Sequence, residues 1–324
     1  MIKIRMTDMH AGGCAVRVLY ANEIGLRGQT IQEQAEDFTT RFRWLMTGAM
    51  REPRGRTNLV GAMITRPERE DSCAGIFFFF DGGYAAMCGS ALFSVGRILF
   101  EQHSSRDQLQ VDTLRGPIAI SSGVRKDTPI ISFINDDVIS FALDRKVSFC
   151  GQELSYDIAY GGNSFAIVDC EQLGLTLDLQ NKKKIVDIAM ELFPVITAQP
   201  APIHPLRFSR EQVNEIMFVE TTPPGSHTYR SVIVYGNRIL DHAPCGTGSC
   251  ARMANLWSRN MLSVGDAFTH QSLFGTEFYG EVLDVRNVGD TEVLRCRLSA
   301  SPQKTGEGFL LFDKTDPLYS GIPE

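Results

Sequence analysis

The sequence has no apolar run long enough to cross a bilayer. Its densest early stretch, Ile76-Phe77-Phe78-Phe79-Phe80, falls far short of the ~18 residues a spanning helix needs. No secretory leader is visible either. Residues 1–8 read as a short strand without the apolar core of a signal peptide, so a cytoplasmic protein is expected. Positive charge is scarce: 32 Lys+Arg stand against 38 Asp+Glu, a net charge of −6. A nucleic-acid partner, which needs a basic face to neutralise phosphates, is therefore not expected, and neither is a membrane. There is no Cys-x-x-Cys pair. Cys245 and Cys250 are five apart with no histidine cluster beside them, so zinc-ligand spacing is missing and no metal is expected. Eight cysteines in a cytoplasmic chain do not read as a disulfide framework; most read as buried thiols. Low-complexity tracts and long linkers are missing too.

What remains is a chain able to bury a sizeable core, 43% hydrophobic and 22% charged. At ~100–200 residues per domain, 324 residues suggest two domains. Short β-branched or aromatic runs predict strands at 15–20, 75–80, 130–133, 164–169, 216–219, 231–235, 280–285 and 292–298. Apolar spacing of three and four predicts helices at 31–48, 91–102, 175–192, 209–216 and 250–261. The fold class expected is α/β (α+β).

The chain also looks internally duplicated. Asp8, Gly12-Gly13 and the strand after them can be laid on Asp157, Gly161-Gly162 and the strand that follows, at an offset of 149. Cys88-Gly89-Ser90 and Cys245-Gly246-Thr247 each follow a strand and open a helix, at an offset of 157. Two similar offsets in the same order suggest two halves of one architecture. The boundary is placed at residues 1–130 and 131–307, with 308–324 returning to the first half.

Each half thus presents a cysteine at a helix N-terminus. Free N–H groups and the helix dipole there stabilise a thiolate and form an anion site suited to a carboxylate. If a pseudo-two-fold relates the halves, the two cysteines face each other across a cleft. One thiolate could then remove the Cα proton of an amino acid while the opposite thiol returns a proton to the other face. The two helix N-termini would stabilise the developing enediolate.

Met87-Cys88-Gly89-Ser90 and Asp241-His242-Ala243-Pro244-Cys245-Gly246-Thr247-Gly248 resemble the two active-site motifs of the proline racemase family. That family comprises proline racemases, 4-hydroxyproline 2-epimerases and trans-3-hydroxy-L-proline dehydratases. Asp8 to Gly13, Glu52-Pro53-Arg54-Gly55, Val60-Gly61-Ala62, Tyr160-Gly161-Gly162-Asn163 and Phe274-Gly275-Thr276 also resemble it. The resemblance implies a diaminopimelate-epimerase-like fold: two pseudo-symmetric halves, each a sheet wrapped around a central helix, with the active site in the cleft between them. It implies Cys88 and Cys245 as the two bases, and Asp241 as partner of the substrate ammonium. The main-chain N–H groups of Gly89, Ser90, Gly246 and Thr247 would hold the carboxylate. Val60 and His10 join the substrate-binding set. No cofactor is implied. The partner implied is a small amino-acid substrate, and a homodimer is compatible with it.

Cysteine at both catalytic positions favours inversion over dehydration, since the dehydratases resemble Ser or Thr at the first. Several positions depart from the family pattern. Ser90 stands where His is common, Cys14 where Glu is common, His242 where Arg is common, and Cys250 where a small hydroxyl residue is common. Val60 is smaller than the aromatic residue of proline racemases, which leans towards 4-hydroxyproline 2-epimerisation. A competing pattern, Gly246-Thr247-Gly248-Ser249-Cys250-Ala251, fits a Gly-x-Gly-x-x-Ala dinucleotide fingerprint and keeps an oxidoreductase as an alternative. A dehydratase of the same family and a non-catalytic amino-acid binding protein are the others.

Overall fold

Strands dominate the computed structural model, which describes residues 1–223 and 225–323. The chain forms two units: Met1–Phe133 with the chain from Ala300 onward, and Ile134–Ser299.

The first unit opens with β1 (Ile2–Ala11) and β2 (Cys14–Tyr20), an antiparallel hairpin. Its turn places Gly12 and Gly13 at φ 59° and 102°, where side-chain-bearing residues are strained. Helices α1 (Ala21–Ile24), α2 (Ile31–Arg41) and α3 (Arg43–Met50) lead to β3 (Leu59–Thr65), which lies parallel to β2. Thr30 starts α2 with a capping box: its hydroxyl accepts from Glu33 N–H while the Glu33 carboxylate accepts from Thr30 N–H. The single helix expected over 31–48 is broken at Phe42 (φ −111°, ψ 23°). The break separates a one-sided helix from one whose last six residues are all buried, which one straight surface helix would not achieve. Next come β4 (Ala74–Phe80), antiparallel to β3, and the short β5 (Gly83–Ala85). Helix α4 (Gly89–Gln102) connects β4 to a parallel β6 (Gln108–Thr113), and β7 (Gly116–Arg125) returns antiparallel. Both faces of β4 are covered, so its phenylalanines run without alternation. Phe79 and Phe77 meet the Phe38 ring at 4.8 and 5.8 Å between centroids. Strand β8 (Thr128–Phe149) starts against β7 and carries the chain into the second unit.

The second unit repeats the plan. β9 (Gln152–Tyr160) and β10 (Ser164–Asp169) form an antiparallel pair. Helix α5 (Lys182–Thr197) precedes β11 (Val213–Val219), parallel to β10, and β12 (Thr228–Tyr235) is antiparallel to β11. Helix α6 (Gly246–Ser258) leads to β13 (Phe268–Gln271), parallel to β12. Strands β14 (Glu277–Val288) and β15 (Thr291–Ala300) continue antiparallel. The chain then returns to the first unit as β16 (Pro302–Phe312), paired with β1. Pairing senses therefore run antiparallel, parallel, antiparallel, parallel, antiparallel in both units. The starts of α4 and α6 are 157 residues apart. Each helix is enclosed by its own sheet: α4 packs on β1, β2, β3, β7 and β16, and α6 on β9, β10 and β14.

Three expectations are corrected. Residues 209–216 form no helix; Val213 onward is strand β11, which hydrogen-bonded pairing with β10 enforces over local spacing. The helix expected over 175–192 begins only at Lys182, after two short 3₁₀ turns. The return to the first unit begins at Ala300 rather than 308, because β16 pairs with β1 along its length, from Pro302 against Ala11 to Phe312 against Ile2.

Candidate active site

In the second unit the site grows from strand parity. On β11, Glu215, Met217 and Val219 lie opposite Tyr235, Ile233 and Ser231 of β12. Met217, Val219 and Ile233 share a buried cluster with Cys245, so this face of the sheet looks toward the start of α6. Past β12, Asp241 N–H donates to Ile233 O at 2.8 Å, which returns the loop to the strand before Cys245. Cys245 is the N-cap of α6 at φ 66°, ψ 129°. That left-handed φ is sparsely populated for a residue with a side chain and is held here by the surrounding structure.

Sγ of Cys245 accepts from Gly248 N–H at 3.4 Å, lies 3.4 Å from Thr247 Oγ1 and 3.8 Å from Tyr235 Oη. Asp241 lies within the same cluster. Its Oδ1 accepts from Ala243 N–H at 2.9 Å and its Oδ2 from Tyr235 Oη at 2.7 Å. It is thus both a turn-capping residue and a buried anion. Burial pushes the Asp241 carboxyl up, and the bonds from Ala243 and Tyr235 pull it back. Burial also drives the Tyr235 hydroxyl well above its ordinary value, with Asp241 adding to the effect, so the phenol keeps its proton as donor.

The Cys245 thiol corrects the expectation of a helix-lowered pKa. Burial raises it strongly, and the negative charge of Asp241 raises it further; Thr247 and the Gly248 N–H oppose both. The helix start contributes in the expected direction and is outweighed. Glu215 is the other unforeseen group. It is buried, with Oε1 accepting from Asn163 Nδ2 at 3.0 Å, and burial lifts its carboxyl to about 8.

Two supports fix this helix start. Ser249 Oγ donates to Cys245 O at 2.7 Å. Because that hydroxyl proton is used, Ser249 must accept from His270 Nδ1–H at 2.8 Å. His270 is neutral, since burial lowers it to about 3, so its Nε2 accepts from Ser231 Oγ–H at 2.6 Å. The second support is Gly161, where a Cβ would come within 2.2 Å of Thr247 O and 2.5 Å of Ala251 N. Only glycine lets the turn after β9 lie against the first turn of α6. Gly248 has a similar reason, because a Cβ there would meet Ile233 Cδ1 at 2.5 Å. Packing against the sheet therefore accounts for this glycine of the Gly-x-Gly-x-x-Ala pattern without a dinucleotide.

In the first unit, Cys88 is the N-cap of α4 in an extended conformation (φ −147°, ψ 110°) and is partly exposed. Gly89 and Ser90 form the first turn of α4, whose opening N–H groups have no intrahelical acceptor. Both residues are buried. Val60 is buried on β3 opposite Val16. His10 sits on β1, and its Nδ1 accepts from Gly13 N–H at 3.3 Å, closing the hairpin turn. It also lines a cavity of about 490 Å³ with Asp8, Arg17, Arg54 and Leu59, which does not include Cys88, Ser90 or Val60. Arg17 is spent there on Asp8, with two bonds of 2.8 Å. Cys14 opens β2 and is half-buried, while Cys250 is buried inside α6 with its thiol pushed up to about 12 by burial.

The structure thus gathers Asp241, Cys245, Gly246 and Thr247 around one helix start, and Cys88, Gly89 and Ser90 around another. Sequence reasoning missed Tyr235, Glu215 and the Ser231–His270–Ser249 chain, and named Asn163 only within a family-like segment. Period-two parity along β11 and β12 was the signal that could have exposed the first two. Among the described residues, no group of three His, Cys, Asp or Glu side chains is placed to hold a metal, and no helix is long and apolar enough to cross a membrane.

The family model described as proline racemase matches residues 6–323. The proline racemase of Clostridioides difficile is 30% identical over 98% of this chain and 97% of its own length. The 4-hydroxyproline 2-epimerase of Streptosporangium roseum is 30% identical, over 97% of this chain and 96% of its own. A crystal structure of a hydroxyproline epimerase from Agrobacterium vitis, with bound trans-4-hydroxy-L-proline, superposes with a TM-score of 0.83. It is 23% identical, covers 99% of this chain and 95% of that one, and carries the likeness of fold.

Proposed function

The chain belongs to the proline racemase family, and on that premise we propose that it inverts Cα of a proline-type amino acid without a cofactor. A 4-hydroxyproline is favoured as substrate over proline itself. The observation that carries this reading is the pairing of Cys245 with Asp241. A buried thiol caps a buried helix beside a buried carboxylate that opposes its ionisation.

That pairing gives the substrate a part in activating its own base. A bound α-ammonium at Asp241 neutralises the charge that adds to burial in holding the thiol protonated, so the proton leaves more readily when substrate is present. Main-chain N–H groups of Gly246 and Thr247 are the donors for the substrate carboxylate, and those of Gly89 and Ser90 are proposed for the same role. Gly248 N–H is reserved for Sγ. The Cys245 thiolate takes the Cα proton on one face, and the C–H electron pair moves into the carboxylate to give an enediolate. The Cys88 thiol gives its S–H proton to the opposite face. The thiolate is then on Cys88, ready for the reverse reaction. Val60 contacts the substrate ring. His10 is kept in the binding set through Nε2, since its Nδ1 already serves the Gly13 turn.

Proton NMR of the enzyme in D2O tests this reading, with L-proline, trans-4-hydroxy-L-proline, cis-4-hydroxy-D-proline and trans-3-hydroxy-L-proline and no added cofactor. The expected result is loss of the Cα–H signal with appearance of the epimer, fastest for the 4-hydroxyprolines. A dehydration product from trans-3-hydroxy-L-proline, or no exchange with any compound, contradicts it.

A further inference from the structure

The second unit holds more acid than an amino acid with one ammonium group requires. Asp241 already has two donors, Ala243 N–H and Tyr235 Oη, and is the carboxylate proposed for the α-ammonium. Glu215 stands apart from that arrangement. It lies on the same face of the sheet, opposite Tyr235, with only 4% of its surface exposed. Asn163 Nδ2 holds Oε1 at 3.0 Å. Oε2 is buried and has no hydrogen-bond partner among the described residues. Glu215 feels the charge of Asp241, and Tyr235 and Cys245 feel that of Glu215, so it is a neighbour of the Asp241–Tyr235–Cys245 cluster.

A buried carboxyl oxygen without a hydrogen-bond partner is costly in either protonation state, so such groups normally find one. The two side-chain donors known beside it are already used, Asn163 on Oε1 and Tyr235 on Asp241. The missing partner is therefore to be sought on the ligand.

We propose that Glu215 Oε2 accepts a hydrogen bond from a second polar group of the substrate, so that the substrate is a proline-type amino acid bearing an additional N–H or O–H donor. This rests on the reading of the site given above and adds the substrate's second functional group to it. An amino substituent on a ring carbon satisfies the arrangement better than a hydroxyl there. Its positive charge favours the ionised form of Glu215, which burial otherwise holds protonated, and each acid is then paired with a cation. A hydroxyl supplies the hydrogen bond alone.

The experiment compares L-proline, trans- and cis-4-hydroxy-L-proline, and trans- and cis-4-amino-L-proline with the full-length enzyme and its Glu215→Gln variant. Cα–H exchange in D2O gives kcat/KM, and calorimetric titration gives Kd for the same compounds without turnover. The expected result is at least a tenfold preference of the wild type for one 4-amino isomer over proline, with the hydroxyprolines in between. In Glu215→Gln that ratio falls toward one. If the hydroxyprolines exceed the amino compounds and Glu215→Gln abolishes that preference, the acceptor role stands and the amine is overturned. A wild-type ratio at or below one, or a ratio unchanged by Glu215→Gln, overturns the proposal. Absence of exchange with every compound would instead defeat the inversion reading. The Kd ratios would still decide the role of Glu215.

Discussion

Tyr235 donates its phenolic proton to Asp241 Oδ2 over 2.7 Å, joining the last residue of β12 to the carboxylate beside the Cys245 thiol. The phenol has one proton, so the 3.8 Å approach of Tyr235 Oη to Cys245 Sγ leaves the thiol free to point its own proton at an oxygen. Against the burial that raises both groups, Tyr235 favours the charged form of Asp241, and Asp241 adds to the proton affinity of Cys245.

Tyr235→Phe should accordingly raise the Asp241 pKa, since a donor that favours its charged form is lost. The acid limb of the kcat/KM profile moves to higher pH. A hydrogen bond to a charged group is worth about 1.5–3 kcal/mol, so kcat/KM should fall by about tenfold or more near neutral pH. A profile that keeps its shape and position would show that Tyr235 does not govern Asp241.

Glu215 predicts a stability signature. Its carboxyl holds a proton to about 8 in the folded chain, against an ordinary value of 4.5. Between those values the folded state binds the extra proton, so stability falls as pH rises. The contribution is complete below the unfolded pKa and lost through the folded one, with a slope of at most ~1.4 kcal/mol per pH unit. Urea denaturation from pH 5 to 8 should show Glu215→Gln with a flatter dependence than the wild type, and relatively more stable at the alkaline end. Parallel curves would contradict the buried, protonated state.

His270 predicts the opposite sign. Its folded pKa is lowered to about 3 from 6.5, so the unfolded chain binds more protons in between. Its contribution is complete above the unfolded pKa and lost as pH falls toward the folded one. His270→Gln should lose part of the acid sensitivity between pH 6 and 4. It should also slow turnover about tenfold while leaving KM nearly unchanged, because Ser249 no longer holds the Cys245 carbonyl in place. An unchanged acid slope contradicts the neutral, buried imidazole.

Gly161→Ala forces a Cβ against Thr247 O and Ala251 N. Overpacking of this kind costs about 1–3 kcal/mol and displaces the first turn of α6. Urea denaturation should show that loss, with a fall in kcat. Gly236→Ala, whose Cβ would meet only Phe193 Cε1 at 3.9 Å, should stay within about 0.5 kcal/mol of the parent. Equal behaviour of the two variants would contradict the close approach.

The helix starts at Cys88 and Cys245 were legible because a strand, a glycine turn and an apolar helix leave local marks, and their spacing repeats. Strand β10 was legible for the same reason. Glu215 was hidden by a helix reading of 209–216, whose three- and four-residue spacing is overruled by parallel pairing with β10, a contact between distant segments. Once Val213–Val219 is a strand, parity alone turns Glu215 inward. The direction of the Cys245 shift was equally out of reach. A helix start is visible in sequence, but the depth of burial and the nearness of Asp241 depend on the packed loop. The break at Phe42 likewise depends on the all-round burial of α3.

The central claim is that each thiol serves one face of Cα. Cys88→Ser and Cys245→Ser, each incubated with either epimer of the preferred substrate in D2O, test it most directly by NMR. Serine keeps the shape but is far too weak an acid to exchange the proton. Each variant should lose inversion by about 10²–10⁴-fold, the range that general acid–base catalysis contributes. Each should retain measurable Cα–H exchange with only one epimer, and with opposite epimers for the two variants. Inversion near the wild-type rate in either variant would contradict the account.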